Sequence, residues 1–418
     1  MSNVFDESTL AAVEAKLAAT DQLLESAYPG DTGVRQPVHT VYVPGDKFTI
    51  GLPEAWGSNA LAAAGNAAGL AKLAAKLNLA EPARLGDLVA AKLASEPIED
   101  LRLDFEDGYG NRPDAEEDAA ALAAADSVSA AVAAGKAPAY IGIRFKCFEA
   151  PTRARGIRTL DLFISRLLAN GPLPEGLRLT LPKVTTVDQV EAMVFLAQKL
   201  EEAHGLEAGR IRFEVQVETP QVIIAADGSH PVAALIHAGQ GRVSSLHYGT
   251  YDYSASLGVA AGYQSMEHPA ADFAKDVMQV AVAGTGVELS DGSTNIIPAG
   301  DPENIAAAWA LHARLVNRHL TRGIYQGWDM HENHLVTRYL ATFAFFREGL
   351  EAAGTRLRNY VHKIESAIMD EPATARALAR YIHRGVACGA VTAQEVTDLA
   401  QITLAELEAI ALNRSHAN

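Results

Sequence analysis

Two cysteines are all that 418 residues contain. So few cannot build a disulfide framework, and the expected compartment is a reducing one. Cys147 and Cys388 also lack the spacing of a thiol pair, and both read as buried or incidental. Positive charge is scarce: 35 Lys and Arg stand against 51 Asp and Glu, a formal net charge of -16. Such a balance argues against nucleic acid or an anionic membrane surface as the main partner, though not against a local cationic pocket. No apolar run reaches the ~18 residues of a membrane span. The opening MSNVFDESTL has no basic stretch followed by an apolar one, so no secretory signal is expected and the expected location is cytoplasmic. Several motifs that would name a chemistry are missing too. There is no GxxxxGK[ST] phosphate loop and no GxSxG elbow. Gly284-Thr285-Gly286 lacks the third glycine and the downstream acid of a dinucleotide fingerprint. His331 and His334 are three apart, not the four of the helical zinc-protease motif.

What is present is a series of short apolar runs that end in polar groups. Strands are predicted over 38–43, 99–105, 139–145, 178–184, 211–218, 243–250, 287–290 and 323–329, with helical, Ala-rich segments between them. From the second run onward, successive starts lie about 30–45 residues apart, which suits βα units. Eight such units predict an α/β protein, a (β/α)8 TIM barrel. Leu10, Val13, Leu17 and Leu24 predict a lone amphipathic helix over 6–28, capped by Asp6 or Ser8. The tail reads as three or four helices with breaks near Gly354, Asp370-Glu371-Pro372 and Gly389. The expected organisation is an N-terminal helix and turn (1–37), the barrel (38–345) and a C-terminal helical extension (346–418).

In a parallel barrel the strand ends open into one shared mouth, so the terminal residues are the chemical candidates. Glu218 closes the fifth run and Asp252 the sixth, one βα repeat apart. Carboxylates on adjacent strands suit Mg²⁺, which takes one or two of them along with waters and substrate oxygens. A helix-capping charge for Glu218 and a turn for Asp252 are the structural alternatives. Alternation sends Asp104 and Glu106 to one face and Asp107 to the loop, where acidic groups can orient metal-bound waters. The alternative there is an acidic turn before a helix begun by Asp114-x-x-Glu117, a capping-box pattern. Arg144 ends the third run, and its planar fork suits a substrate carboxylate; pairing with a buried carboxylate such as Glu106 is the alternative. Lys183 has the same position on the fourth run, with a salt bridge and a catalytic role both open. Arg153, Arg155 and Arg158 read as a solvated loop or as a phosphate grip. Asp370 is a candidate general base, or simply a helix cap.

With those residues placed, the chain resembles the citrate lyase β-subunit-like group of the HpcH/HpaI aldolase superfamily, which includes malyl-CoA lyases. HTVYVPGDK (39–47), LDFEDGYG (103–110), IGIR (141–144), LPKV (181–184), VETP (217–220), YGTYD (248–252) and GIYQGWDMHENHL (323–335) are similar to that group's motifs and keep their order. Departures are His39-Thr40 for Arg-Ser, Phe145-Lys146 for Val-Asn, Thr185-Thr186 for Glu-Ser, Glu332 for Pro, and about 50 residues between VPGD and DFED. The resemblance implies a (β/α)8 barrel that assembles as a homo-oligomer, a trimer or hexamer. It implies Mg²⁺, with Mn²⁺ as a substitute, held by Glu218 and Asp252, with Glu106 and Asp107 around the metal waters. Arg144 would hold an α-keto acid or carboxylate, and the partner substrate is often an acyl-CoA. The leading expectation is therefore a metal-dependent carbon–carbon lyase or aldolase working through an enolate. A phosphoenolpyruvate-handling Mg²⁺ enzyme and a non-catalytic metabolite-binding barrel stay open beside it.

Overall fold

The computed structural model describes residues 4–364 and 371–413. After helix α1 (Glu7–Ala27), strand β1 (His39–Pro44) leads into helices α2 (Leu52–Ala64), α3 (Asn66–Lys76) and α4 (Pro82–Ser95). Strand and helix then alternate: β2 (Asp100–Asp104), α5 (Asp114–Ala133), β3 (Tyr140–Arg144), α6 (Arg153–Asn170), β4 (Leu179–Leu181), α7 (Val187–His204), β5 (Phe213–Val217), α8 (Val232–Ala238) and β6 (Val243–Tyr248). The short α9 (Thr250–Ser256) precedes α10 (Pro269–Val282), β7 (Glu288–Ser290), α11 (Pro302–Thr321) and β8 (Gly327–Asp329). Five helices close the described chain: α12 (His334–Glu348), α13 (Leu350–Val361), α14 (Pro372–Ala387), α15 (Ala393–Ala400) and α16 (Leu404–Ala411).

All eight expected strands form. They pair in parallel in the order β7-β6-β5-β4-β3-β2-β1-β8. The remaining seam, β7 to β8, is bridged at Ser290 and Gln326, with Trp328 N donating to Gly292 O at 3.1 Å. The fold is thus a nearly closed (β/α)8 barrel with additional helices at both ends. Asp6, not Ser8, caps α1. Gly354 lies inside α13, and the break falls at Gly349 instead. Pro113 occupies the N-cap of α5, so the Asp114 capping box does not form; Glu117 turns inward to Lys146 Nζ at 2.6 Å. Asp370 lies outside the described residues.

Strand alternation sorts the side chains by face. Leu101 and Leu103, Ile141 and Ile143, Phe213, Val215 and Val217 are fully buried in the apolar layer beneath the helices. The opposite parity is polar. Arg102 Nη2 reaches across to Glu214 Oε2 at 2.6 Å, its Nε donates to Thr180 at 3.0 Å, and Nη1 pairs with Asp100. Burial works against ionised Glu214, but the Arg102 charge beside it and His247 hold its carboxyl down at about 2. Removing one partner of so dry a pair costs about 3–5 kcal/mol, because the other charge is stranded. α12 is buried around most of its circumference, since the barrel covers one side and the tail helices another. Tyr381 Oη donates to Phe345 O, and Arg347 Nη1 meets Glu395 at 3.1 Å. No described helix is long and apolar enough to cross a membrane.

Candidate active site at the C-terminal mouth

The mouth is built on the first residues after β2, β4, β5 and β6. Asp104, the last residue of β2, organises its own loop: Oδ1 accepts from Glu106 N at 3.0 Å and Oδ2 from Gly108 N at 2.7 Å. A Cβ at Gly108 would lie 2.5 Å from Asp104 Oδ2, so only glycine lets the chain turn so closely over that carboxylate. The loop then presents Glu106 and Asp107.

Arg144 stands beside them at the end of β3. Its Nε and Nη2 grip Asp104 at 2.7 and 2.6 Å. Nη1 faces Gln216 Oε1 at 3.4 Å and Glu106 Oε2 at 3.5 Å. Burial opposes the charge, but Asp104 and Glu106 hold the guanidinium well above its ordinary range. Of the two partners expected for Arg144, a substrate carboxylate and a buried one, the structure contains the second: Nε and Nη2 hold Asp104, and the Nη1 edge is turned to Gln216 and Glu106.

Lys183 is the centre of the arrangement. It sits in the turn after β4 with φ +50°, left-handed backbone that a non-glycine residue adopts at a cost of about 1–3 kcal/mol. Its N–H donates to Glu218 Oε1 at 2.7 Å. Its ammonium donates to Glu106 Oε1 at 2.5 Å and Asp107 Oδ2 at 2.9 Å, and lies 3.6 Å from Asp252 Oδ2. Burial works against this charge, and the surrounding carboxylates, Glu106 first, more than offset it.

Glu218 follows β5 directly and is fully buried. Desolvation pushes its carboxyl up to about 8, against the pull of Arg144 and Lys183 and with a further push from Asp252 and Glu106. Gly249 makes room for it: a Cβ there would meet Glu218 Cβ at 2.4 Å. Asp252 is not a strand terminus as expected; β6 stops at Tyr248, and Asp252 lies in the first turn of α9. The helix rotates it to the Lys183 side of the mouth. Glu106 is raised by burial, against Arg144 and Lys183, whereas the more open Asp107 is lowered by hydrogen bonds from Lys183 that outweigh its burial.

Three carboxylates, Glu106, Asp107 and Asp252, therefore surround one ammonium, and a fourth, Glu218, is held by the same residue's main-chain N–H. The set is all oxygen, hard and anionic, which is the donor chemistry of Mg²⁺ or Mn²⁺. The basic cluster behaves otherwise. Arg153, Arg155 and Arg158 belong to the start of α6 rather than to a solvated loop, and Arg155 and Arg158 both bind Asp118 on α5, at 2.6 and 2.5 Å. That pairing leaves little charge for a phosphate.

A second polar cluster escaped the sequence reading. Asp329 points away from the barrel axis, toward α11 and α12. Arg338 grips it at 2.9–3.2 Å, His39 Nδ1 is 2.8 Å away and His312 Nε2 3.2 Å. His334 stacks on His312 with ring centroids 4.5 Å apart. His312, Asp329 and His334 have the spacing of metal ligands, with donor atoms within 4.8 Å of one another. Arg338, however, already supplies the cation. Burial and the Arg338 charge keep His319 neutral, down at about 3, and burial with His312 does the same for His334. We read the cluster as a clasp between β1, β8 and the two helices.

Solved structures share this architecture. A citrate lyase of Burkholderia xenovorans LB400 is 18% identical and matches with a TM-score of 0.59, covering 87% of this chain and 96% of its own. The CitE protein of Mycobacterium tuberculosis, in complex with magnesium, acetoacetate and coenzyme A, is 15% identical with a TM-score of 0.50, covering 84% and 99%. A malate synthase of Haloferax volcanii in a magnesium and glyoxylate complex is 12% identical with a TM-score of 0.50, covering 90% and 97%. At these identities the likeness is one of fold. No curated protein matches the chain. A family model does, over residues 17–415, and the chain belongs to that family, described as a domain of unknown function (DUF6986).

Proposed function

We propose that this protein is a divalent-metal-dependent carbon–carbon lyase or aldolase acting on a small keto-acid or hydroxy-acid, with a CoA thioester as a candidate partner substrate. The observation that carries the reading is the convergence of Glu106, Asp107, Glu218 and Asp252 on Lys183 at the barrel mouth. So many acids at one point are costly unless a cation is shared among them. Glu218 and Asp252 would hold the metal, with Glu106 and Asp107 turned toward its waters. Two proteins of this fold are seen with magnesium, which supports the assignment without fixing the substrate.

In the cleavage direction a base removes the proton of a β-hydroxyl, the carbon–carbon bond breaks, and its electron pair remains on one fragment as an enolate. A bound divalent cation supplies Lewis-acid stabilisation and a template for such charge. The Nη1 edge of Arg144 would hold the substrate carboxylate, while Asp104 fixes the guanidinium plane so that little orientation is lost on binding. The strained Lys183 turn aims its N–H at Glu218 and restrains that carboxylate. The paired state of Arg155 and Arg158 counts against a phosphoenolpyruvate reading, which requires a strong phosphate cradle.

The test is turnover. The protein is incubated with Mg²⁺ or Mn²⁺ and a panel of hydroxy-acids and their CoA thioesters, with release of pyruvate, glyoxylate or oxaloacetate followed. Metal-dependent release that EDTA abolishes is the expected result. Phosphate release from phosphoenolpyruvate would favour that rival, and tight binding without turnover across the panel would favour a metabolite-binding barrel.

A further inference from the structure

α1 stands apart from the body of the protein. None of its 21 residues is buried, and its apolar side chains are open: Leu10 is 57% exposed, Val13 47%, Leu17 48% and Leu24 52%. Its C-terminal end is fixed, because Tyr28 packs edge-on against His237 and Gly30 N donates to Gly284 O at 2.8 Å. A helix that exposes a leucine row while being held at one end is built to meet something outside its own chain.

The spacing says what kind of surface it meets. Leu10, Val13, Leu17, Thr20, Leu24 and Ala27 follow one another at intervals of three and four residues. This is the heptad seam of a coiled coil, with leucine at every first core position. The flanks say which partner and which direction. Lys16 and Asp21 lie on opposite shoulders of the seam, five residues apart, and neither joins an ion pair among the described residues. Within one helix they do not face each other. In a parallel, in-register assembly of identical helices, Lys16 of each copy meets Asp21 of the next. An antiparallel pairing would instead bring Glu14 beside Asp21 of the other copy, two like charges. We infer that α1 pairs with α1 of a second copy of this chain, parallel and in register. The reading is independent of the proposed chemistry at the barrel mouth.

Cysteine cross-linking of the full chain tests it, since Cys147 and Cys388 are both buried. Thr20→Cys places a thiol in the seam, next to its counterpart only if the helices are parallel and in register; Gln22→Cys places one on the outer face. Under mild oxidation the Thr20→Cys protein is expected to run at twice its mass on a denaturing gel without reductant, and Gln22→Cys is not. Adding Leu17→Glu to Thr20→Cys should abolish the cross-link and leave the circular dichroism of the folded chain unchanged, because α1 buries nothing in its own chain. Lys16→Glu should weaken the cross-link, and Lys16→Glu with Asp21→Lys should restore it. Equal cross-linking of Thr20→Cys and Gln22→Cys, no effect of Leu17→Glu, or no rescue by the charge exchange would overturn the inference.

Discussion

The main-chain N–H of Lys183 donates to Glu218 Oε1 at 2.7 Å, while the same residue's ammonium holds Glu106 and Asp107. One residue thus serves as both donor to a proposed ligand and counter-ion to its neighbours. A lysine is a compact point charge on a flexible stem, and it balances carboxylates that a divalent cation would otherwise share.

If Lys183 occupies the region that a metal would use, the two compete. Lys183→Met is expected to raise Mg²⁺ or Mn²⁺ affinity by roughly tenfold, about 1.4 kcal/mol, while lowering the melting temperature of the metal-free protein. Calorimetric titration with Mn²⁺ measures the first effect, and thermal melts with and without metal measure the second. Unchanged or weaker affinity would mean that the ammonium supports the site instead of competing for it.

Glu218→Gln and Asp252→Asn each remove one anionic ligand without changing shape. Metal affinity should fall by roughly a hundredfold or more, with circular dichroism unchanged. Full affinity in either variant would take that residue out of the proposed metal site.

The proton on Glu218 gives a pH dependence with a definite sign. Its folded value of about 8 lies above the ordinary 4.5, so the metal-free fold is favoured when the group is protonated. Stability contributed this way is complete below about pH 4.5 and is lost as pH rises through about 8, a difference on the order of 5 kcal/mol if fully expressed. Metal binding needs the carboxylate. Apparent affinity should therefore climb about tenfold per pH unit up to about 8 and then level off. Titrations at pH 6.5 in buffers of different ionisation enthalpy should show release of about one proton per metal bound. Binding without proton release would contradict the assignment.

Gly249→Ala tests packing rather than charge. The added methyl would meet Glu218 Cβ at 2.4 Å, so the carboxylate must move. We expect a loss of about 1–3 kcal/mol in stability and a fall in metal affinity approaching that of Glu218→Gln. An affinity like the parent's would show that Glu218 has room to shift without consequence.

Arg144→Lys keeps the charge and removes the fork. KM for a carboxylate substrate should rise, or kcat fall, while the Asp104 loop loosens. Unchanged kinetics would give Arg144 to structure alone.

The strands were legible because their outward faces are built of Leu, Val, Ile and Phe in short runs bounded by turns. Even the three-residue β7 was found, since βα spacing demanded a unit there. Asp252 was placed one element too early, because YGTYD looks extended until the helix that follows Gly249 is seen. The Asp100–Arg102–Glu214 layer was written in the sequence as alternate polar positions in DLRLD and FEVQV. Reading it required knowing that β2 faces β5 across the barrel, and local pattern carries no such information. The same holds for His39, His312 and Arg338, which are brought to Asp329 from positions up to 290 residues away in the chain. A buried carboxylate was one of the two partners expected for Arg144, but that it is Asp104 and not Glu106 was hidden for a related reason: Arg144 and Asp104 both end strands, and only register decides which carboxylate the fork meets.

Strand β1 pairs on one side with β8, with Val41 opposite Asp329, a separation of 329 − 41 = 288 residues. During synthesis at about 5–20 residues per second, its N–H and C=O groups on that edge wait roughly 15–60 s for a partner. The nascent chain therefore carries an open β-edge for most of its translation, a template for pairing with a neighbour on the same message. Slow closure of this kind makes the yield of native protein sensitive to translation rate and to holding chaperones, even where the finished barrel is stable.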